Sequence, residues 1–371
     1  MSVSLAVSTS TADGRLHRYW PERNLNLFEH LPLGGTTRSN VLKSNTLIFI
    51  GGLCDSFLAV PYVPILAYYI DQCPDWTLME TQLSSSGLGW GTGDIPRDVE
   101  EIEKAVEYVR EHVTSSNSTV TNHSGKVILM GHSTGCQDVL HYLHHRSEQG
   151  RPPVDGAILQ AAVSDREGLA MMREQDENVQ HAYKECLRIS LNSEAQKPQD
   201  KICTLPPELT GLLGWPRVHV SSKRFLSLAS PSSPVRPELD DLFSSDLSDE
   251  TLSKTFGAVA RSGLLKSNDG GRPSLLILLS AEDEYTPKTV DKQILIERWK
   301  KALNVGRTDL APDSGVIVGA SHNVNEQEAQ FDLIKRVLGY LRLADAGIPA
   351  KLRYKLDHDR GSLASIHCSK E

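Results

Sequence analysis

What the chain lacks narrows its function before any motif is read. No stretch approaches the ~18–20 unbroken apolar residues that a membrane-spanning helix needs. The longest apolar runs, at 46–50 and 275–279, have only the length of strands. Positive charge is not in excess: 39 Lys and Arg stand against 47 Asp and Glu, a net charge of −8, so the electrostatic footprint of a nucleic-acid binder is missing. The six cysteines form no C-x-x-C pair and no regular spacing, which argues against a disulfide framework or a structural zinc site and for free thiols in a reducing compartment. Residues 1–14 are Ser/Thr-rich without the basic segment and continuous apolar stretch of a secretory signal. The expectation is therefore a cytoplasmic protein with no membrane or nucleic-acid partner.

The 371 residues that remain to be explained are 39% hydrophobic and show an alternation of short apolar runs with longer amphipathic segments. That rhythm predicts an α/β fold, a mostly parallel central sheet with helices on both faces. Strands are expected at 25–31, 45–50, 77–83, 126–130, 157–160, 275–279 and 316–318, and helices at 94–112, 135–145, 290–302 and 325–343. The helix at 94–112 is the clearest, with Ile95, Val99, Ile102, Val106 and Val109 at three- and four-residue spacing, Asp94 as a cap and Pro96 in the first turn. The rhythm fails between 165 and 273, where charged pieces and Ser/Pro linkers such as Ser230-Pro-Ser-Ser-Pro replace strands. A structureless loop of that length is improbable in a compact domain, so the stretch reads as a helical cap inserted into a core of 15–164 and 274–345, followed by a peripheral tail at 346–371.

After the apolar run at 127–130 comes Gly131-His132-Ser133-Thr134-Gly135, and then a helix. G-x-S-x-G between strand and helix is the arrangement of a nucleophile elbow, whose glycines permit a sharp turn that lifts the serine above the sheet. A serine needs a base and an orienting carboxylate, and both stand at later strand ends: Asp283 after 275–279, and His322 after 316–318. In an open α/β sheet the carboxyl ends of strands face the ligand crevice, which brings Ser133, Asp283 and His322 to one edge. Glu282 and Glu284 are immediate rivals of Asp283. His132, in the variable position of the elbow, reads as a packing residue. The glycine pair Gly51-Gly52 closing the second strand allows close backbone approach and, with the elbow, assigns the oxyanion donors to the N–H groups of Leu53 and Thr134, with Gly52 beside the substrate.

Other signals are weaker. Gly87-Leu-Gly-Trp-Gly-Thr-Gly93 misses the register of a dinucleotide fingerprint and reads as a flexible loop at the site edge. His141, His144 and His145 share a helix, but no carboxylate or cysteine pattern completes a metal site. No metal or organic cofactor is required by the chemistry.

With these residues in view, the chain resembles the α/β-hydrolases, and more closely a fungal and plant family long known only as uncharacterised proteins, one of whose members is a fungal esterase of fusarinine C. The resemblance is carried by Phe49-Ile-Gly-Gly-Leu-Cys-Asp-Ser, Val60-Pro-Tyr-Val-Pro, Ser84-Ser-Ser, Asp98-Val-Glu-Glu-Ile, Gly131-His-Ser-Thr-Gly-Cys-Gln-Asp, Phe243-Ser-Ser-Asp, Ser280-Ala-Glu-Asp-Glu-Tyr and Gly319-Ala-Ser-His-Asn. Cys54-Asp-Ser departs from the small-residue Gly-Asp-Gly pattern expected there, and Gly87 stands in place of an aromatic. The resemblance implies a serine esterase that opens the ornithyl esters of a fusarinine-type siderophore inside the cell to release iron. Fusarinine C carries free amino groups, and the segment 238–250 holds Glu238, Asp240, Asp241, Asp246, Asp249 and Glu250 without a Lys or Arg. Asp240, Asp241 and Asp246 are accordingly expected to attract the amines, the plainer reading being a solvated helix face or hinge. A thioesterase or acyltransferase with the same triad, or a non-catalytic ligand-binding protein on this scaffold, would use the same residues.

Overall fold

Unbroken apolar strands need cover on both faces. The computed structural model, which describes residues 11–31, 43–113, 125–144, 150–196, 202–267 and 273–344, supplies it. At one edge β1 (Gly14–Trp20) and β2 (Leu25–His30) form an antiparallel hairpin, with Asn24 in its turn at φ 55°. Then β3 (Asn45–Ile50), α1 (Val63–Asp71), β4 (Trp76–Thr81), α2 (Ile95–Tyr108), β5 (Val127–His132), α3 (Gly135–His144) and β6 (Gly156–Gln160) follow. Next comes a run of helices: α4 (Asp165–Gln175), α5 (Glu177–Gln196), α6 (Pro207–Leu212), α7 (Ser222–Ala229), α8 (Asp249–Lys254) and α9 (Val259–Ser262). The chain then returns as β7 (Ser274–Ser280), α10 (Lys292–Val305), β8 (Asp309–Leu310), β9 (Gly315–Ile317) and α11 (Gln327–Ala344). The strands lie in the order β1-β2-β4-β3-β5-β6-β7-β8, with β9 also on β7; β2 meets β4 antiparallel, and the pairs from β4 onward are parallel.

The pleat sorts side chains between two cores. Ile48 and Ile50 of β3, with Val127 and Leu129 of β5, pack with α2, α3 and α10 on one face. Leu47 and Phe49, with Ile128 and Met130, pack with α1 and α11 on the other. The cap of α2 is as expected: the Asp94 side chain accepts the Arg97 N–H at 3.1 Å, with Pro96 in the first turn. The elements that the sequence reading missed lack an apolar signature. β1 reads Gly-Arg-Leu-His-Arg-Tyr-Trp and is a largely exposed edge strand, β8 is two residues long, and α1 begins among Pro61 and Pro64, the latter placed early in the helix where its missing N–H costs nothing. Val318, expected in a strand, lies beyond β9 and is 84% exposed. His145 and the segment 346–371 lie outside the described residues.

The helical run between β6 and β7 divides in two. Leu169 of α4, Val179 and Tyr183 of α5, and Phe225 and Leu228 of α7 make a third core together with Trp90. Farther along, Phe243, Leu252 of α8, Phe256 and Val259 of α9 return to the first core beside Trp299 of α10, with Phe256 and Trp299 stacked at 5.3 Å. The hinge between these halves is electrostatic. Arg224 of α7, 3% exposed, donates to Asp240 Oδ2 at 2.6 Å, and Ser227 Oγ donates to the same oxygen. A buried pair broken on one side leaves an uncompensated charge, typically costing ~3–5 kcal/mol. Arg224→Met is therefore expected to lower the unfolding free energy by about that much in urea titration. Lys254→Met, at the exposed Lys254–Glu250 pair, should leave the midpoint in place; equal midpoints for the two variants would refute this account of the hinge.

Candidate active site

The elbow is built by chain segments that touch where side chains are absent. A Cβ on Gly131 would lie 2.4 Å from the Gly135 carbonyl oxygen, and one on Gly135 would lie 2.5 Å from that of Ile50. Between them Ser133 is held at φ 54°, a conformation costly for any residue but glycine, while its N–H donates to Gln160 O at 3.0 Å and its own carbonyl accepts Cys136 N–H at 3.0 Å. A Cβ on Gly52 would sit 2.7 Å from Ser133 Cβ, so the loop after β3 runs directly against the serine.

His322 follows β9, and its Nδ1 lies 2.9 Å from Asp283 Oδ2 at the end of β7; both residues are buried. With Nδ1–H donated to the carboxylate, Nε2 is the nitrogen left for the cavity that Ser133 and His322 share. Of the three adjacent acids, Asp283 is the one bonded to the ring. Glu284 Oε2 accepts the backbone N–H of His322 at 2.9 Å, and the Glu282 side chain is exposed. Tyr285 stands edge-on to the His322 ring at 4.7 Å, a neighbour that the sequence pattern did not single out. His132 also packs against that ring, at 5.0 Å, with its nitrogens 2.5 Å from Gln160 Oε1 and 3.1 Å from Asn323 Oδ1. Burial, reinforced by the adjacent His322, pushes the pKa of His132 down, while the Gln160 and Asn323 oxygens at its two ring nitrogens pull the other way.

The loop at 51–55 is shaped by Asp55. Its Oδ2 accepts Gly52 N–H at 2.7 Å, and its carbonyl accepts Gly87 N–H at 2.7 Å. Gly52 thus has its N–H committed within the loop, and what it offers the site is close backbone approach. The Leu53 and Thr134 N–H groups have no acceptor among the described residues, which leaves both available to an oxygen bound above Ser133. Cys54 is exposed at φ 68° and its Sγ accepts Trp90 Nε1–H at 3.1 Å. Cys136 is buried beneath the elbow and its thiol is pushed well above the usual range by burial. The glycine-rich 87–93 stretch is a docked turn: Trp90 is buried, and Gly91 O accepts Ser221 N–H at 2.7 Å. His141 and His144 bond the carbonyls of Leu239 and Leu140, at 2.7 and 2.6 Å.

Above the serine lies a cavity of about 450 Å³ whose wall includes Ser133, His322, Leu53, Asp165, Leu169 and Trp215. The acids of the 238–250 segment do not line it. Asp240 and Asp241 are fully buried, Asp240 against Arg224 and Asp241 against Arg166 at 3.0 Å, while Asp246 pairs with the same Arg166. This corrects the expectation that Asp240, Asp241 and Asp246 meet a ligand's amines. The segment contains no cation of its own, but α4 and α7 bring Arg166 and Arg224 to it. Behind the 51–55 loop, Asp98 of α2 and Asp138 of α3 face a small chamber with Arg224 and Thr134. Burial pushes Asp98 up to about 7 against the lowering effect of Arg224 and Arg97, and pushes Asp138 well above the usual carboxylate range.

This geometry has counterparts of known sequence. A family model described as "Protein of unknown function (DUF1749)" matches residues 6–342. The chain belongs to that family. It is 35% identical to the fusarinine C esterase sidJ of Aspergillus fumigatus over 353 residues, covering 87% of this chain and 98% of that protein. An esterase of Emericella nidulans is 36% identical over 360 residues, covering 88% and 92%. Among solved structures, the siderophore hydrolase EstB from Aspergillus fumigatus superposes with a TM-score of 0.76 at 34% identity, covering 91% of this chain and 98% of that one. The fold is that of the α/β-hydrolases.

The buried acids make stability depend on pH. A carboxyl whose folded pKa is raised holds a proton that the unfolded chain has released, so its contribution is full below the unfolded value near ~4 and is lost as pH rises through the folded one. For Asp98 that window runs from the ordinary aspartate value of 3.8 to about 7. The unfolding midpoint should fall between pH 5 and pH 8, and Asp98→Asn, which mimics the protonated form, should reduce that fall. An undiminished fall in the variant would show that Asp98 is ionised throughout.

Proposed function

We propose that this protein is a serine esterase that hydrolyses ester bonds of a hydroxamate siderophore of the fusarinine C type. The observation that carries the reaction class is the His322–Asp283 hydrogen bond, 2.9 Å long, facing the same cavity as a serine held at φ 54° on a glycine-flanked elbow. In this reading Ser133 Oγ attacks the ester carbonyl as His322 Nε2 takes its proton. Asp283 holds the imidazole tautomer and steadies the imidazolium, and the N–H groups of Leu53 and Thr134 meet the oxyanion. His322 then returns the proton to the departing alcohol, and a water activated by the same imidazole releases the acyl group from Ser133.

The substrate class rests on the relatives, whose names are those of a fusarinine C esterase and a siderophore hydrolase. A cavity of about 450 Å³, roofed by Leu169 and Met172 of α4 and by Leu213 and Trp215, suits a bulky acyl or alcohol arm better than a small ester. The helices α4–α7 act in this reading as the cap over the site. The reaction is placed in the cytoplasm, where opening the ligand would release its iron. Hydrolysis of ferric fusarinine C and of a short aryl ester by the purified protein tests both parts. Ser133→Ala is expected to lose at least ~10³-fold in kcat on each. Asp283→Asn should fall by a comparable ~10³–10⁴-fold, and Glu284→Gln by far less. Cleavage of the aryl ester alone would retain the triad and remove the siderophore; an active Ser133→Ala would remove both.

A further inference from the structure

The cavity contains a carboxylate that the mechanism does not use. Asp165 opens α4 immediately past the carboxyl end of β6, on the same sheet edge as Ser133 and His322, and lines the cavity with them. Its Oδ2 is shielded from solvent and has no hydrogen-bond partner among the described residues. An unpaired buried oxygen of this kind costs free energy unless a ligand satisfies it. The other acid on the cavity wall, Asp55, is committed to Gly52 N–H. No Lys or Arg among the described residues lines the cavity. Arg224, which faces Asp165 electrostatically, is held by Asp240, and Arg166 by Asp241 and Asp246. The cavity therefore presents one acid with an oxygen that no hydrogen bond satisfies, within electrostatic reach of Arg224 and His322, to whatever enters.

We propose that Asp165 is the specificity-determining residue that receives a protonated amine of the substrate, so that the preferred ester carries an ammonium group close to its scissile carbonyl. The proposal rests on the esterase reading and deepens it by naming the substrate chemistry. A cation suits the site on two grounds. It supplies the donor that Oδ2 lacks, and it relieves the repulsion that Asp240 and Asp241 exert on an ionised Asp165. Burial pushes Asp165 up to about 7, so an arriving ammonium also draws the group into its ionised form. An acetylated amine offers neither the charge nor this coupling. The free-amine function expected of the 238–250 acids thus passes to an acid outside that segment.

The test compares the benzyl ester of norvaline with that of Nα-acetylnorvaline near neutral pH, in the wild type and in Asp165→Asn, which preserves shape. The wild type is expected to prefer the free amine in kcat/KM, and the ratio of the two esters to collapse about tenfold or more in Asp165→Asn, a charge-assisted hydrogen bond's worth of discrimination. An unchanged ratio overturns the proposal, whether both rates stay put, as for a purely structural aspartate, or fall together, as for a carboxylate that acts on both esters alike. Calorimetric binding of the norvaline ester to Ser133→Ala and to Ser133→Ala with Asp165→Asn separates this from the esterase reading. Binding lost only in the double variant supports Asp165 even if no ester turns over, and equal binding removes it even if hydrolysis is robust.

Discussion

The contact on which the site depends is backbone against backbone. Two strand ends converge where Gly131, Gly135 and Gly52 leave no room for a Cβ: the elbow folds onto itself at Gly131, and the end of β3 and its loop press against Gly135 and, through Gly52, against the serine. Because the approach is that close, Ser133 is forced to φ 54° and raised above β5, and the unpaired N–H groups of Leu53 and Thr134 flank it. The strain is held by what surrounds it. β5 is buried along its whole length between β3 and β6, and Ser133 N–H is anchored on Gln160 of β6. A stiff sheet is thus the precondition for a strained turn, and the strained turn for an aimed hydroxyl.

A second layer of order is ionic, and it explains why an acidic segment is silent at the surface. Arg224 stands among Asp98, Asp138, Asp165 and Asp240 and, among the described residues, bonds directly to the last of these four carboxylates alone. One guanidinium cannot neutralise four carboxyls, and burial resolves the surplus by raising Asp98, Asp138 and Asp165 toward the neutral form. Two of those acids sit behind the 51–55 loop and the third faces the cavity. The same network therefore ties α7 to the 238–250 segment and sets the charge seen by a bound ester.

Much of this was legible in the sequence, because the signals that were read are local. The all-buried strands β3, β5 and β7 show as unbroken apolar runs, α2 as a spaced stripe with its cap, and Ser133, Asp283 and His322 as residues following strands in an order that one sheet edge can assemble. What escaped was relational. β1 is held by pairing rather than by burial, and its residues carry no apolar rhythm. Whether Glu282, Asp283 or Glu284 meets the imidazole is decided by the turn after β7, where only Asp283 points inward. The acids at 240, 241 and 246 looked unpaired because their arginines lie on other helices. Asp165 was legible only as the boundary of the helical run, although its position after β6 matches that of the residues chosen after β5, β7 and β9.

The departure at Cys54 shows how the loop and the helices above it share one constraint. Position 54 is in the left-handed region that favours glycine, which accounts for the small-residue pattern expected there, and a cysteine bears a cost of ~1–2 kcal/mol to occupy it. Its sulfur accepts the indole N–H of Trp90, and Trp90 in turn packs edge-on to Trp215 at 5.3 Å within the third core. Gly91 beside it has no Cβ because His219 O would lie 2.5 Å away. The loop carrying Leu53 N–H is therefore braced from above by the helical segment as well as from below by the elbow. A side chain at 54 exchanges backbone ease for that brace, and couples the position of the Leu53 N–H to the seating of the helices that line the cavity.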